Sequence, residues 1–184
     1  MCQRFDLLET ALAGLFVIQR KPLADSRGYL ERLYCTAEFH ELTGGRPIVQ
    51  INHTLTVRCG AVRGMHYQRP PHAELKFVSC LRGSVFDVAV DLRRDSPTFL
   101  HWHAEILSAD NHKTLAIPEG FAHGFQTLTG DCEMLYFHTT PFHPEAEGGL
   151  NALDPRLAIA WPEAVTELSP RDAGLPLLTP DFKL

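Results

Sequence analysis

Long apolar runs, concentrated basic patches and paired-cysteine motifs are all missing from this 184-residue sequence. The longest apolar run near the start, Ala11 to Ile18, is too short to cross a bilayer as a helix, and Asp6 and Glu9 precede it where a secretory leader carries positive charge. A cytoplasmic location is therefore the expectation. Lys and Arg number 17 against 22 Asp and Glu, for a net charge of −5, and the basic residues are scattered. That distribution lacks the electrostatic footprint of a nucleic-acid binder, although a few local arginines are enough to hold a small anionic ligand. The five cysteines, Cys2, Cys35, Cys59, Cys80 and Cys132, are odd in number and form no CxxC pair. Neither a disulfide framework nor a zinc knuckle follows from them, and reduced, mostly buried thiols are expected. Charge runs and low-complexity tracts are also lacking, so residues 1–184 are expected to form one globular domain.

What is present is alternation of apolar and polar residues with a period of two, from about Leu15 to Thr139. It is clearest in Phe77 to Cys80, Val85 to Leu92, Leu100 to Leu107 and Cys132 to His138. Turn-forming residues separate these runs at Asp25-Ser26-Arg27-Gly28, Pro70-Pro71, Arg82-Gly83, Asp95-Ser96-Pro97 and Gly130-Asp131. Mainly antiparallel β structure in a sandwich or barrel is predicted. One helix is predicted over Thr36 to Leu42, capped by Thr36, with Phe39 and Leu42 on its buried face. After Tyr136 the pattern loosens and prolines accumulate, predicting an irregular tail draped over the sheet with a short helix around Pro162 to Thr166.

Two histidine-bearing stretches carry the chemical signal, RGMHYQ at Arg63 to Gln68 and IPEGFAHGF at Ile117 to Phe125. His66 has no HxH partner, since the second position on is Gln68. Its company is more telling: Arg63 lies three residues earlier and Lys76 falls on the next predicted strand, where both can line one cavity. His123 follows a Pro/Gly turn, where a histidine either contacts a ligand or hydrogen-bonds the turn. Tyr136 either packs or presents its hydroxyl, and Asp172 is a loop carboxylate whose pairing with a residue as distant as His66 does not follow from spacing. The remaining histidines, His138 among them, are read as surface or packing residues. As a set, His66, Tyr136, Asp172 and Lys76 offer a base, an acid, an orienting carboxylate and a cation, which suits proton transfer next to a carbonyl.

The order of segments DSRGYLERLY, QINH, GAVRGMHYQRPP, ELKFVSCLRGSVFDVAVDLRRDSPTF, LSADN, IPEGFAHGFQTL and EMLYFHTTPFHPEAEGG, closed by WP and SPRD, resembles the dTDP-4-dehydrorhamnose 3,5-epimerase family from about Asp25 to Asp172. The resemblance implies a cupin-type, jelly-roll antiparallel β-barrel. It further implies a homodimer that epimerises a nucleotide-linked 4-keto-6-deoxyhexose without metal or organic cofactor. By the same resemblance His66 is the base, Asp172 its partner, Tyr136 the proton donor and Lys76 the cation facing the developing oxyanion. His123 maps to a substrate-contacting histidine. Arg27, Arg63 and Arg171 approach the anionic or polar parts of the ligand, and Gln50 and Asn52 give polar contacts. Glu147 lies at a binding position, and Phe142 offers a face to the base.

Two departures from the pattern stand out. Arg32 occupies a position where a nucleotide-contacting glutamate is common, with Glu31 beside it, and Leu100 replaces the usual glycine after SPTF, a difference read as one of packing. The rival readings are inversion at only C3 or only C5, or a sugar on another nucleotide. Further off lie a metal-dependent cupin using His66, His72, Glu74 and His123, and a non-catalytic sugar-binding module.

Overall fold

The computed structural model describes residues 3–182 and residue 184, so Cys2 lies outside the described residues. In chain order the strands are β1 (Phe5–Glu9), β2 (Phe16–Arg20), β3 (Leu23–Asp25), β4 (Gly28–Leu30), β5 (Gln50–Thr56), β6 (Val62–Gln68), β7 (Lys76–Arg82), β8 (Ser84–Asp91), β9 (Trp102–Ser108), β10 (Lys113–Ile117), β11 (Phe121–Thr127), β12 (Cys132–His138) and β13 (Glu147–Gly149). Two single-turn helices complete the set, α1 (His40–Thr43) and α2 (Pro170–Ala173).

Two antiparallel sheets face one another. The first has the order β1-β2-β10-β7-β12-β5, the second β13-β6-β11-β8-β9, and β3 with β4 makes a separate hairpin. The alternation predicted from sequence is realised as a jelly-roll sandwich, and among the described residues no ladder closes the two sheets into a continuous barrel. Inward positions from both sheets, including Val78, Cys80, Met134, Val85, Ala89, Phe121 and Phe125, form one core between them. The interior is filled at one end by these side chains and left open at the other.

Several central strands are buried on both faces, β11 along its whole length, because each sheet is also covered from outside. Over the first sheet, Phe5, Phe39, Tyr34, Leu42 and Ile48 pack on Ile18, Phe77, Ala116 and Phe137. Over the second, the tail lays Leu150, Ala152, Leu157 and Leu178 on Met65, Tyr67, Val88, Val90 and Ala122. The draped tail is thus as expected, and its apolar side chains hold it in place.

Both predicted helices differ from what forms. Thr36 caps nothing; the helix begins at His40 after Phe39, which makes no side-chain cap, and Gly44 ends it in the left-handed region at φ +60°. Burial of the Phe39 ring, stacked on Phe77 at 5.0 Å between centroids, decides the path of this segment over local capping. Residues 162–166 stay non-helical because their backbone is drawn to the sheet: the Thr166 N–H donates to the Gly60 carbonyl, and Glu167 accepts from the Val62 N–H. The helix forms instead at Pro170, with Pro at its first turn and the Ser169 hydroxyl accepting the Asp172 N–H, the start signal that SPRD carries.

Leu100 has φ +64°, so the departure from glycine there is a matter of backbone conformation and not of packing alone. Cys80 and Cys132 are buried, Cys35 is half-buried and Cys59 is exposed, against the expectation of mostly buried thiols for the last of these. Burial pushes the Cys80 thiol up to about 12, leaving it inert.

Phe39→Ala removes a ring that touches Phe5, Tyr34 and Phe77. It is expected to cost roughly 3–5 kcal/mol of stability, read as a lower denaturant midpoint at unchanged m-value.

Candidate active site

The open end of the sandwich is a cavity of about 420 Å3. Its position follows from a close approach of β6 and β11. Gly64 has φ +115°, and a Cβ there would sit 2.6 Å from the Gly124 Cα and 2.7 Å from the His123 carbonyl oxygen. Only glycine admits this contact, and it brings His66 directly opposite His123 in the ladder.

His66 Nε2 lies 2.8 Å from Asp172 Oδ1, and the other carboxylate oxygen accepts the Gly64 N–H at 3.2 Å. A carboxylate acceptor fixes the imidazole proton on Nε2, so the basic lone pair of neutral His66 is on Nδ1. Burial works against an ionised Asp172, but the hydrogen bond and charge of His66, the Gly64 N–H and nearby Arg171 hold its carboxyl below the usual range. The loop carboxylate of the sequence reading is thus a buried group on α2, pinned across 106 residues to His66.

His123 is not at the exposed turn its sequence context suggests. The turn ends at Gly120, and His123 is the third residue of β11, buried, with Nε2 2.9 and 3.0 Å from the two oxygens of Asp87 on β8. Burial pushes its basicity down, with the Asp87 charge opposing. Asp87 was not singled out in the sequence; a carboxylate in the apolar run VFDVAVD was the available signal.

The facing sheet supplies Lys76 from β7 and Tyr136 and His138 from β12, with Asn52 from β5. Register sets His138 opposite Lys76 and Tyr136 opposite Asn52. Burial pushes the Tyr136 phenol well above its ordinary range, keeping it protonated, while the Arg63 guanidinium favours the anion it would leave. His138, read as surface or packing from sequence, lines the cavity. Its Nδ1 is 2.6 Å from Glu74 Oε2, and Glu74 Oε1 is 3.5 Å from Lys76 Nζ. Burial opposes the charge on Glu74, but Lys76 and His138 outweigh it and hold the carboxyl at about 2 against an ordinary 4.5.

Arg63, Arg171, Glu147 and Phe142 also line the cavity, with Phe142 half exposed and Arg171 salt-bridged to Glu147. Two expected contacts fall outside it. Gln50 accepts the Phe142 N–H at 3.0 Å and so holds the loop carrying that ring. Arg27 sits on the exposed β3–β4 hairpin, bound to Asp25 at 2.6 Å. Arg32 pairs with Glu38 at 2.5 Å, and Glu31 is taken by Arg20 and His112, so neither of these reaches the cavity.

The residues of the metal-site rival are otherwise engaged. His72 lies against His143 at 3.6 Å between ring centroids, and His66, His123 and Glu74 are each held in separate pairs. Among the described residues no group of three or more His, Cys, Asp or Glu is arranged to hold a metal ion.

A jelly roll with a histidine–carboxylate pair on one wall of its cavity and a tyrosine and lysine on the other defines a cupin-type scaffold suited to acid–base chemistry. The sequence model of the dTDP-4-dehydrorhamnose 3,5-epimerases matches residues 9–180, and the chain belongs to that family. It is 42% identical over 94% of its length, and 94% of the relative's, to dTDP-4-dehydrorhamnose 3,5-epimerase of Salmonella typhimurium. The crystal structure of the 3,5-epimerase from Legionella pneumophila in complex with dTDP-4-keto-L-rhamnose superposes with a TM-score of 0.88 at 41% identity, covering 94% of this chain and 92% of that one. A dTDP-4-dehydrorhamnose 3-epimerase of Streptomyces niveus is 38% identical over 91% of this chain and 81% of its own.

The depressed value of Glu74 makes a signed prediction. Its pairing stabilises the fold fully above about 4.5 and is lost as pH falls from there through about 2. The difference in melting temperature between the wild-type protein and Glu74→Gln is therefore expected to shrink steadily over that window, measured by thermal denaturation at each pH.

Proposed function

We infer that this protein is an epimerase of nucleotide-linked 4-keto-6-deoxyhexoses that converts dTDP-4-dehydro-6-deoxy-D-glucose to dTDP-4-dehydro-L-rhamnose. The observation that carries the reading is the opposition of two walls across one cavity, His66 with Asp172 on one and Lys76 with Tyr136 on the other. The C4 ketone acidifies the hydrogens on C3 and C5, so the acid strength the reaction needs resides in the substrate and the chemistry consumes no cofactor.

His66 takes the proton from one face through Nδ1, and Asp172 stabilises the imidazolium without leaving its hydrogen bond. The electron pair passes to O4, where the Lys76 ammonium meets the enolate as it forms. Collapse of the enolate draws a proton from Tyr136 on the other face, inverting the carbon. Arg63 offsets the phenolate until solvent returns the proton. At the cavity rim Arg171 and Arg63 suit the diphosphate, Phe142 suits stacking on the base, and Glu147 orients Arg171.

A homodimer fits this reading. Val49, Ile51, Leu55 and Val57 alternate along the edge strand β5 and its ends, forming an exposed apolar stripe, and the hairpin exposes Tyr29 and Leu30 beside Arg27. A second copy covering these surfaces removes an open strand edge, and it is the route by which Arg27 meets a ligand. A single cupin unit acting in the cytoplasm completes the proposal.

Proton NMR with dTDP-4-keto-6-deoxy-D-glucose in D2O tests the activity. Deuterium entry and inversion at both C3 and C5 are expected; labelling at one carbon identifies the monoepimerase that the 3-epimerase relative keeps in view, and no labelling defeats the reading. Tyr136→Phe should slow inversion by roughly a hundredfold to ten-thousandfold while exchange at the same carbons persists, because removal and delivery use different groups. Equal loss of both would defeat that division of labour. For assembly, light scattering should give the mass of two chains for the wild-type protein and of one for the double variant Ile51→Lys/Leu55→Lys.

A further inference from the structure

Among the ionisable groups that face the cavity without a part in the proton transfers above are Glu74 and His138, whose side chains are both largely buried. The ladder brings them together with Lys76. Lys76 opens β7, Glu74 stands two residues before it, and the β7–β12 register sets His138 directly opposite Lys76. Glu74 reaches both, His138 Nδ1 at 2.6 Å through one oxygen and Lys76 Nζ at 3.5 Å through the other. His138 is itself held from the far side, its Nε2 3.4 Å from Asn52 Nδ2 and its ring near-parallel to that of Tyr136 at 6.2 Å between centroids.

A lysine stem has many rotamers, whereas an oxyanion donor works only when its ammonium is already where the charge will appear. Burial also makes a lone ammonium costly unless a carboxylate sits beside it. Glu74 meets both requirements, and His138 anchors Glu74 so that the carboxylate does not swing into the cavity and cancel the charge that the enolate needs. We propose that Glu74 is a positioning residue for Lys76 in the epimerisation, with His138 as its anchor, a role that rests on the reading of Lys76 as the cation facing O4.

The test compares the wild-type protein with Glu74→Gln, His138→Phe and the double variant, each first checked for a cooperative melt. Glu74→Gln should lower kcat by roughly tenfold or more, a fraction of what loss of an oxyanion donor itself costs, with KM within about twofold. Deuterium entry at C3 and C5 should fall by the same factor, because enolate formation is the step Lys76 serves. His138→Phe should shift the same quantities in the same direction by less. The double variant should be no worse than Glu74→Gln, since His138 acts through Glu74.

Unchanged exchange in Glu74→Gln, or additive losses in the double variant, would overturn the positioning role while leaving the epimerase intact. Absence of exchange in the wild-type protein would overturn the epimerase reading and this role together. Should Glu74→Gln fail to fold, His138→Phe alone carries the same decision, through parallel loss of kcat and exchange at constant KM.

Discussion

Charge buried in pairs is the constraint on which this site depends. Three histidines face one cavity, and each has its own carboxylate, Asp172 for His66, Asp87 for His123 and Glu74 for His138. An isolated ion in such a place costs several kcal/mol, so the carboxylates cannot be spectators. Each fixes which ring nitrogen carries the proton and therefore which one is free. The strands supply the rest: two come from a pair of ladders in which Gly64 and Gly124 allow an unusually close approach, the third from the register of β7 with β12.

Much of this was legible in the chain because residue type and spacing dictate strands almost directly. The alternating runs became β7, β8, β9 and β12, and the tail lies over the sheet as its prolines imply. What was lost were the contacts that depend on distant segments. His66 and Asp172 are 106 residues apart, and only the fold places them at hydrogen-bond distance. Pro118 and Gly120 mark a turn just before His123, but the strand starts at Phe121 and carries the ring inside. His138 sits in a run that reads as an ordinary strand, and its role appears only when the register shows what is across from it. The start of α2 is announced locally by Ser169-Pro170, whereas the segment 162–166 is kept from a helix by distant partners, Thr166 donating to Gly60 and the adjoining Glu167 accepting from Val62.

On the proposed mechanism one cavity can serve inversion at two carbons or at one, the two activities for which relatives of this chain are named. C3 and C5 both flank C4, so the enolate that forms on removal of either proton puts its charge on the same oxygen, which the same cation can meet. The proposed base on one wall and acid on the other are likewise indifferent to which carbon stands between them. On the proposed mechanism two inversions need two such passes, between which the base sheds its proton and the phenol regains one.

On that mechanism the choice between one pass and two lies with the groups that hold the ligand, and not with those that move protons. If His66, Asp172, Lys76 and Tyr136 serve both outcomes as proposed, a chain can carry all four and still be divided from its relatives by side chains that never touch a proton.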